Sequence, residues 1–210
     1  MAGKIVHIPR VLYHWRVHSA STADNPASKL YAYEAGKKAI EGNLARCGEE
    51  GTVTLRSDYG FYDVDYKLRG TPLVSILIPN KDQADTLRTC LESIKKKCMY
   101  PSYEILIIEN NSTEEATFSY YKELEAQGIR VLKYPKQGFN YSAINNFGVK
   151  EAKGEYLLFL NNDMEIITPD FMEKMVSNLQ RPQIGAVGAK LYYPDNTCLS
   201  YTSPSPRDRS

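Results

Sequence analysis

The chain has no long apolar run. Its longest, Val74 to Pro79 and Tyr156 to Leu160, are strand-sized and fall far short of the roughly 20 residues that cross a bilayer, so no membrane span is expected. No apolar stretch follows Met1-Ala2-Gly3-Lys4-Ile5, which makes export by this segment unexpected and the cytoplasm the default location. Cysteine is scarce. Cys47, Cys90, Cys98 and Cys198 show neither a C-x-x-C spacing nor a disulfide framework, which fits reduced, structural thiols. Charge of either sign is not in excess: 26 basic against 25 acidic residues give +1, no global field to draw nucleic acid. Lys95-Lys96-Lys97 reads instead as a helix end, where cations oppose the negative end of the dipole. Glycine-rich phosphate loops are missing too. No G-x-G-x-x-G follows the first apolar strand, which disfavours a Rossmann-type dinucleotide binder.

Histidine is rare and clustered, with His7, His14 and His18 as the three in the chain. If residues 11–17 form a strand, as Val11, Tyr13 and Trp15 suggest, His14 and His18 lie about 13 Å apart at roughly 3.3 Å per residue, too far for one ion. A helix would bring them together. Sixteen tyrosines invite a stacking role, but Tyr120-Tyr121 and Tyr192-Tyr193 fall in a helix and at a strand end, where packing is the commoner use. An acceptor-sugar platform is left open for Tyr141 alone.

What is present is an ordinary globular composition, 42% hydrophobic and 24% charged over 210 residues, enough for one core and a partial second unit. Residues 24–48 read as a helix, with Asp24 or Asn25 before Pro26 as its start, Leu30, Tyr33, Ile40 and Leu44 on one side, and Gly48 as its stop. Thr52 to Leu55 and Phe61 to Leu68 read as a hairpin, and Gly70-Thr71-Pro72 marks a boundary. Beyond it strands at 74–79, 104–108, 130–133 and 155–160 alternate with helices at 84–98, 113–127 and 141–152. Such alternation predicts an α/β fold with an open, mostly parallel sheet. Ala186 to Tyr193 is strand-like. Residues 198–210 then read as a tail that is non-native, resembling a translated sequencing adaptor, or disordered and Ser/Pro-rich.

Polar residues gather after the strands. Pro79, Asn80, Lys81 and Asp82 leave the first strand, Glu109 and Asn110 end the second, and Asn161, Asn162 and Asp163 follow the strand at 155–160. Open α/β sheets bind ligands at that edge. A transferase using a nucleotide diphosphate sugar must hold a base, place a ribose and neutralise a pyrophosphate. The first two groups suit base and ribose, although Asn110-Asn111-Ser112-Thr113 equally suits a turn and helix start. Asn161 and Asp163 offer the hard oxygen ligands of Mg²⁺ or Mn²⁺, with phosphate and water completing the shell and Glu165 in reserve.

These blocks, V-S-I-L-I-P-N-K-D, E-I-L-I-I-E-N-N-S-T and A-I-N-N-F-G-V-K-E-A-K-G-E-Y-L-L-F-L-N-N-D, resemble the family 2 glycosyltransferases, inverting enzymes of the GT-A fold. The resemblance covers residues 72 to about 193 and includes an Asn146-x-Gly148 turn and the Gly154-Glu155-Tyr156 lead. It implies base and ribose contacts from Pro79, Lys81 and Glu109, donor contacts at Asn140 and Asn146, and metal and phosphate contacts at Asn161 and Asp163. Glu109 and Asn161 stand where many members carry aspartate, and Asn140 where many carry another basic or polar residue, so donor identity stays open. It also implies transfer with inversion to a glycan or lipid-linked acceptor in bacterial cell-surface polysaccharide assembly, in the cytoplasm or peripherally at the inner membrane face. The family's acidic base lies well downstream of the metal motif. Asp170 follows that motif too closely and Asp195 lies too near the tail, so the base is expected beyond residue 198 and this stretch binds donor without turnover. Residues 1–71 resemble the end of a preceding module followed by a linker helix and hairpin, and 72–197 the nucleotide-sugar-binding part of the next. The alternatives are a non-catalytic donor-binding remnant and a dinucleotide-binding domain.

Overall fold

A computed structural model describes residues 6–14 and 26–199. The chain divides into two compact units, Met1–Lys67 and Leu68–Ser210. In the first, a 3-10 turn, Pro26–Lys29, leads into α1, Leu30–Cys47. Gly48 stops α1 in the left-handed region at φ 68°, and its N–H and that of Glu49 take the last free carbonyls, an ending that favours glycine. Strands β1, Gly51–Leu55, and β2, Tyr62–Tyr66, pair antiparallel and bury Val53, while α1 buries Leu44. Tyr62 Oη donates to the Tyr33 carbonyl at 2.8 Å, and Tyr33 stacks on Tyr59.

Residues 6–14 carry no regular structure, so the strand expected from residue 11 is absent as far as Tyr13 and His14. Trp15, His18, Asp24 and Asn25 lie outside the described residues, as does the tail from residue 200.

The second unit follows the alternating plan. Its elements are β3, Val74–Asn80; α2, Ala84–Lys97; β4, Tyr103–Glu109; α3, Glu115–Ala126; β5, Arg130–Lys133; α4, Tyr141–Glu151; β6, Tyr156–Phe159; and α5, Phe171–Leu179. All four strands are parallel, in the order β5-β4-β3-β6. Parallel strands covered on both faces read as continuous apolar runs, and β3 and β4 do. One face packs Ile76, Ile78, Ile105 and Ile107 against Leu87, Leu91 and Ile94 of α2, Tyr121 and Leu124 of α3, and Met172 and Val176 of α5. The other packs Leu77, Leu106 and Ile108 against Ile144 and Phe147 of α4. Each such buried side chain stabilises by roughly 1.5–3 kcal/mol.

The chain order matters for function. It moves outward from β3 to β4 and β5, then returns through α4 to the far side of β3, so the strand order reverses between β3 and β6. Ligand crevices form at such a switch point, outside the strand C-termini.

Three expectations need correction. Ala186 to Tyr193 is not a strand: the segment is irregular, apart from one isolated antiparallel bridge between Tyr192 and Cys198. That bridge, with the Leu199 amide donating to Leu191 O at 3.0 Å, also draws the first two residues of the expected tail back onto the chain. Asn146-x-Gly148 is not a turn but lies inside α4. Helix α5 was not anticipated, although Met172 and Val176 fall at i, i+4 spacing.

Gly148 and Gly154 are required for close approach rather than for turning. A Cβ on Gly148 would meet Ile108 Cδ1 at 2.5 Å, the movable end of a side chain, whereas one on Gly154 would meet the Ser75 backbone nitrogen at 2.5 Å. Overpacking costs about 1–3 kcal/mol where neighbours can yield. Gly148→Ala should therefore fall in that range and Gly154→Ala beyond it, read from urea unfolding midpoints; equal losses would contradict the packing described.

Candidate functional site

The site begins with a missing hydrogen bond. In the β3–β6 ladder the Leu160 amide donates to Leu77 O at 3.0 Å. The next rung would run from the amide of residue 79 to the Leu160 carbonyl, and proline has no N–H to give. Pairing with β6 accordingly ends at Leu77↔Phe159, while pairing with β4 continues to Asn80↔Glu109. Beyond that rung the ends of β3 and β6 are no longer joined by backbone hydrogen bonds.

Side chains span that gap. Asn162 Nδ2 donates to Asn80 Oδ1 at 2.7 Å, and Asn80 Nδ2 donates to Asp82 O at 2.9 Å and to Tyr121 Oη at 2.8 Å. Asn80 is only 2% exposed, and both its N–H bonds are committed. Burial raises the Tyr121 hydroxyl above its ordinary pKa, partly offset by Asn80 and Ser112. Tyr121 Oη also lies 3.3 Å from Ser112 Oγ, which accepts from the Asp82 amide at 2.9 Å. Asp82 in turn reaches α3: its Oδ1 accepts from the amides of Thr113 at 2.7 Å and Glu114 at 2.9 Å. Those amides, Glu114 first, hold its carboxyl below the usual 3.8, as a carboxylate at a helix N-terminus should be. The ends of β3 and β4 are thus sewn together.

The predicted residues separate by burial. Glu109 and Asn110 are each 4% exposed; Glu109 Oε1 accepts from the Ser112 amide at 2.5 Å, whereas Asn110 Oδ1 is buried with no hydrogen-bond donor among the described residues. Lys81, Asn161 and Asp163 are exposed, and Pro79, Asp82 and Asn162 half-buried. Asn140 caps α4, its Oδ1 accepting from the Ala143 amide at 3.0 Å. Asn146 is exposed on α4, and its side chain has no hydrogen bond among the described residues. Register and hydrogen bonds therefore bring Pro79, Asn80, Asp82, Glu109 and Asn162 to one rim, with Asp163 adjoining. Backbone φ is positive at Asp82 (52°), Gln83 (60°) and Asn111 (59°), a strain of about 1–3 kcal/mol at each non-glycine residue that clusters on this rim.

The structure adds residues the sequence did not single out. Tyr121 sits on the buried α3 face with Thr117, Tyr120 and Leu124, and a buried tyrosine needs a partner for its hydroxyl. Asn145, 5% exposed on α4, donates to Tyr141 O at 2.9 Å while its Oδ1 is buried without a donor. It lies about one turn before Gly148, which packs on Ile108 and Leu77. Asn111 ties the rim to the β5–α4 connection, donating to Lys136 O at 3.2 Å and accepting from the Gly138 amide at 3.0 Å.

Among the described residues no group of three or more His, Cys, Asp or Glu could hold a metal by itself. The donor set at the end of β6 still suits Mg²⁺ or Mn²⁺ delivered with phosphates. Asp163 presents an exposed carboxylate with no hydrogen bond among the described residues, beside the Asn161 amide, and such ions keep few protein ligands when phosphates supply the others. Asp170 and Asp195 have other partners: Asp170 pairs with Lys174 at 3.0 Å, and Asp195 accepts from Thr197.

A parallel sheet of order β5-β4-β3-β6 with its polar residues at the switch point is a doubly wound α/β arrangement, and its structural neighbours place it in the GT-A glycosyltransferase fold. The fold is similar to that of a mannosyltransferase, PcManGT from Pyrobaculum calidifontis in complex with GDP-Man and Mn²⁺, at a TM-score of 0.52 and 18% identity over 81% of this chain and 47% of that one. A model of "Glycosyl transferase family 2" matches residues 75–207, and the chain belongs to that family. It is 44% identical over 195 residues to the O-antigen biosynthesis protein RfbC of Myxococcus xanthus, covering 93% of this chain and 15% of that protein. It is 42% identical over 195 residues to the uncharacterized protein y4gI of Sinorhizobium fredii, covering 91% of this chain and 21% of that protein. The chain thus spans a small part of either relative's length.

Two predictions test the rim. Tyr121→Phe removes a hydroxyl that Asn80 donates to, leaving a buried N–H unpaired at a cost of about 1–3 kcal/mol; a urea midpoint within 0.3 M of the parent, roughly 0.5 kcal/mol at typical slopes, would refute the hub. For Asp82 the folded-state pKa is lowered, so its contribution is fully present above its ordinary value and is lost as pH falls through the lower folded value. Asp82→Asn should flatten the fall in melting temperature below about pH 4; a profile parallel to the parent's would show that the cap carries no charge-dependent stability.

Proposed function

We propose that the second unit binds the donor of an inverting transferase that moves a sugar from a nucleotide diphosphate sugar to a glycan or lipid-linked acceptor in cell-surface polysaccharide assembly. The observation that carries this reading is the convergence of Pro79, Glu109 and the Asn162–Asp163 pair on the strand ends where Pro79 stops the β3–β6 ladder. The O-antigen biosynthesis protein and the GDP-mannose complex among the similar proteins support it.

The chain's own residues divide the work by accessibility. Pro79 and Lys81 stand at the end of β3, with Lys81 an exposed cation suited to a diphosphate. Glu109 keeps one carboxylate oxygen on the Ser112 amide and leaves the other to accept from a ribose hydroxyl or base N–H. Asn110 and Asn145 bring buried acceptors without donors, and donor hydroxyls or ring N–H groups would satisfy them; unmet, each costs about 1–3 kcal/mol. Asn140, the cap of α4, and Asn146, exposed in the middle of that helix, are assigned to the sugar of the donor. Asn80 and Asp82 hold the rim in place. A divalent ion held by Asp163 and Asn161 would neutralise the diphosphate leaving group.

Turnover needs a general base, worth roughly 10²- to 10⁴-fold. Asp170 and Asp195, each held by other partners, are not assigned that role. The similarity to RfbC over 93% of the chain extends into the first unit, a unit read here as the end of a preceding module. No helix among the described residues is long and apolar enough to cross a membrane, and peripheral placement at the inner membrane face fits a lipid-linked acceptor.

Calorimetric titration of the chain with uridine, deoxythymidine and guanosine diphosphosugars, with and without Mn²⁺, checks the proposal. One donor should bind more tightly with Mn²⁺, and Asp163→Ala should abolish that gain while leaving metal-free binding. Retention of the full gain in Asp163→Ala would overturn the metal assignment, and no binding by any donor would overturn the site.

A further inference from the structure

The segment between β6 and α5, residues 160–170, has no helix or strand, yet it is fixed along almost its whole length. Leu160 is held by its rung on β3, Asn162 by its bond to Asn80, and Thr168 and Asp170 by the start of α5; the other anchors come from α2 and from Met99, two residues beyond it. Cys90 Sγ lies 3.8 Å from Asn161 O. Ser93 Oγ, in a residue 7% exposed, accepts from the Ile166 amide at 3.0 Å while donating to Cys90 O at 2.8 Å. Lys97 Nζ pairs with Glu165 at 3.0 Å, and the Met99 amide donates to Pro169 O at 3.2 Å. Cys90, Ser93 and Lys97 stand at i, i+3 and i+7, one stripe of α2. Asn161, Asn162, Glu165 and Ile166 are all held, and Asp163 between them has no hydrogen bond among the described residues.

We propose that α2 is the positioning element of the cation site and Ser93 its central residue, a role that rests on Asp163 being the ligand. Ser93 never reaches the ion. A buried hydroxyl on an otherwise apolar helix face, between Cys90, Leu91 and Ile94, gives the loop's buried amide a partner that no aliphatic residue could supply. Ile166, 8% exposed within the core, is thereby fixed three residues from Asp163. With its neighbours pinned, the carboxylate meets the cation without ordering a loop first, and that saving appears as affinity.

The test is Mn²⁺ affinity of the full chain in saturating nucleoside diphosphate, read by Mn²⁺ electron paramagnetic resonance. Ser93→Ala should weaken Mn²⁺ binding about tenfold, the lower end for residues that orient metal ligands, while metal-free nucleotide affinity stays within about twofold. Ser93→Thr, which keeps the hydroxyl, should recover most of the loss. Unchanged Mn²⁺ affinity in Ser93→Ala, or equal loss of metal-free binding, overturns the positioning role. Asp163→Ala runs in parallel: if it too leaves Mn²⁺ affinity intact, the ligand assignment fails rather than the support. Hydrogen exchange of the parent chain needs no variant. The Ile166 amide should be protected before any cation is added, and an amide that exchanges freely until Mn²⁺ and nucleotide arrive would overturn the proposal.

Discussion

The central strand of this sheet runs out of backbone donors at residue 79. Up to Leu77, β3 is hydrogen-bonded on both sides; from Pro79 it keeps β4 and loses β6. A parallel ladder elsewhere would treat that as a defect, since an unpaired carbonyl in a buried sheet costs about 1–3 kcal/mol. Here the loss falls at the C-terminal rim, one rung beyond the Leu160–Leu77 bond. One imino acid at that register decides that the sheet opens between β3 and β6 and nowhere else along them.

An opening made by removing hydrogen bonds must be kept from spreading. The rim replaces the lost backbone rung with a side-chain amide pair, Asn80 with Asn162, and backs Asn80 with Tyr121, whose hydroxyl also meets Ser112. Asp82 then clamps the start of α3. The links from Asn80 to Asn162 and Tyr121 and from Asp82 to Thr113 and Glu114 join segments distant in sequence, so no single loop carries the geometry. The three left-handed non-glycine residues on the rim are the strained side of that bargain, tolerated because the network around them is complete. Against it stand Asn110 Oδ1 and Asn145 Oδ1, two buried acceptors that the protein leaves unmet in a region where it meets nearly everything else.

The sequence made much of this legible for a reason that differs by feature. Apolar strands alternating with amphipathic helices gave the parallel sheet, because strands buried on both faces must be apolar throughout and their crossovers must be helical. The rim residues stood out because polar clusters end those runs. What stayed hidden depends on contacts distant in sequence. Asn80 and Asp82 read as donor contacts, yet their side chains are turned to Tyr121, Asn162 and α3, partners 31 to 82 residues away. Tyr121 looked like packing, and its ring does pack; only its hydroxyl is more. Asn146-x-Gly148 looked like a turn because glycine often marks one, whereas Gly148 serves a helix that must lie flat on Ile108. The strand expected at 186–193 had β-forming residues but no neighbouring strand to pair with beyond a single bridge, and propensity without a partner does not make a strand.

A site with one carboxylate makes a different kind of metal centre from one with three. Taken alone, Asp163 offsets half the charge of a divalent cation and offers one of its six or more oxygens, so on the proposed reading the free ion is held weakly. A diphosphate supplies the remaining charge and ligands, and linkage then requires that nucleotide strengthen the cation by the same factor that the cation strengthens nucleotide. Such coupling is large only if the protein's single ligand is already where the complex needs it; a carboxylate on a loop that had to be ordered would forfeit much of the gain. That is why the hydrogen bonds from α2 matter more than their number suggests. A loop with few ligands depends on its supports in a way that a loop with many does not, and two of those supports, Cys90 and Ser93, sit on the buried face of α2.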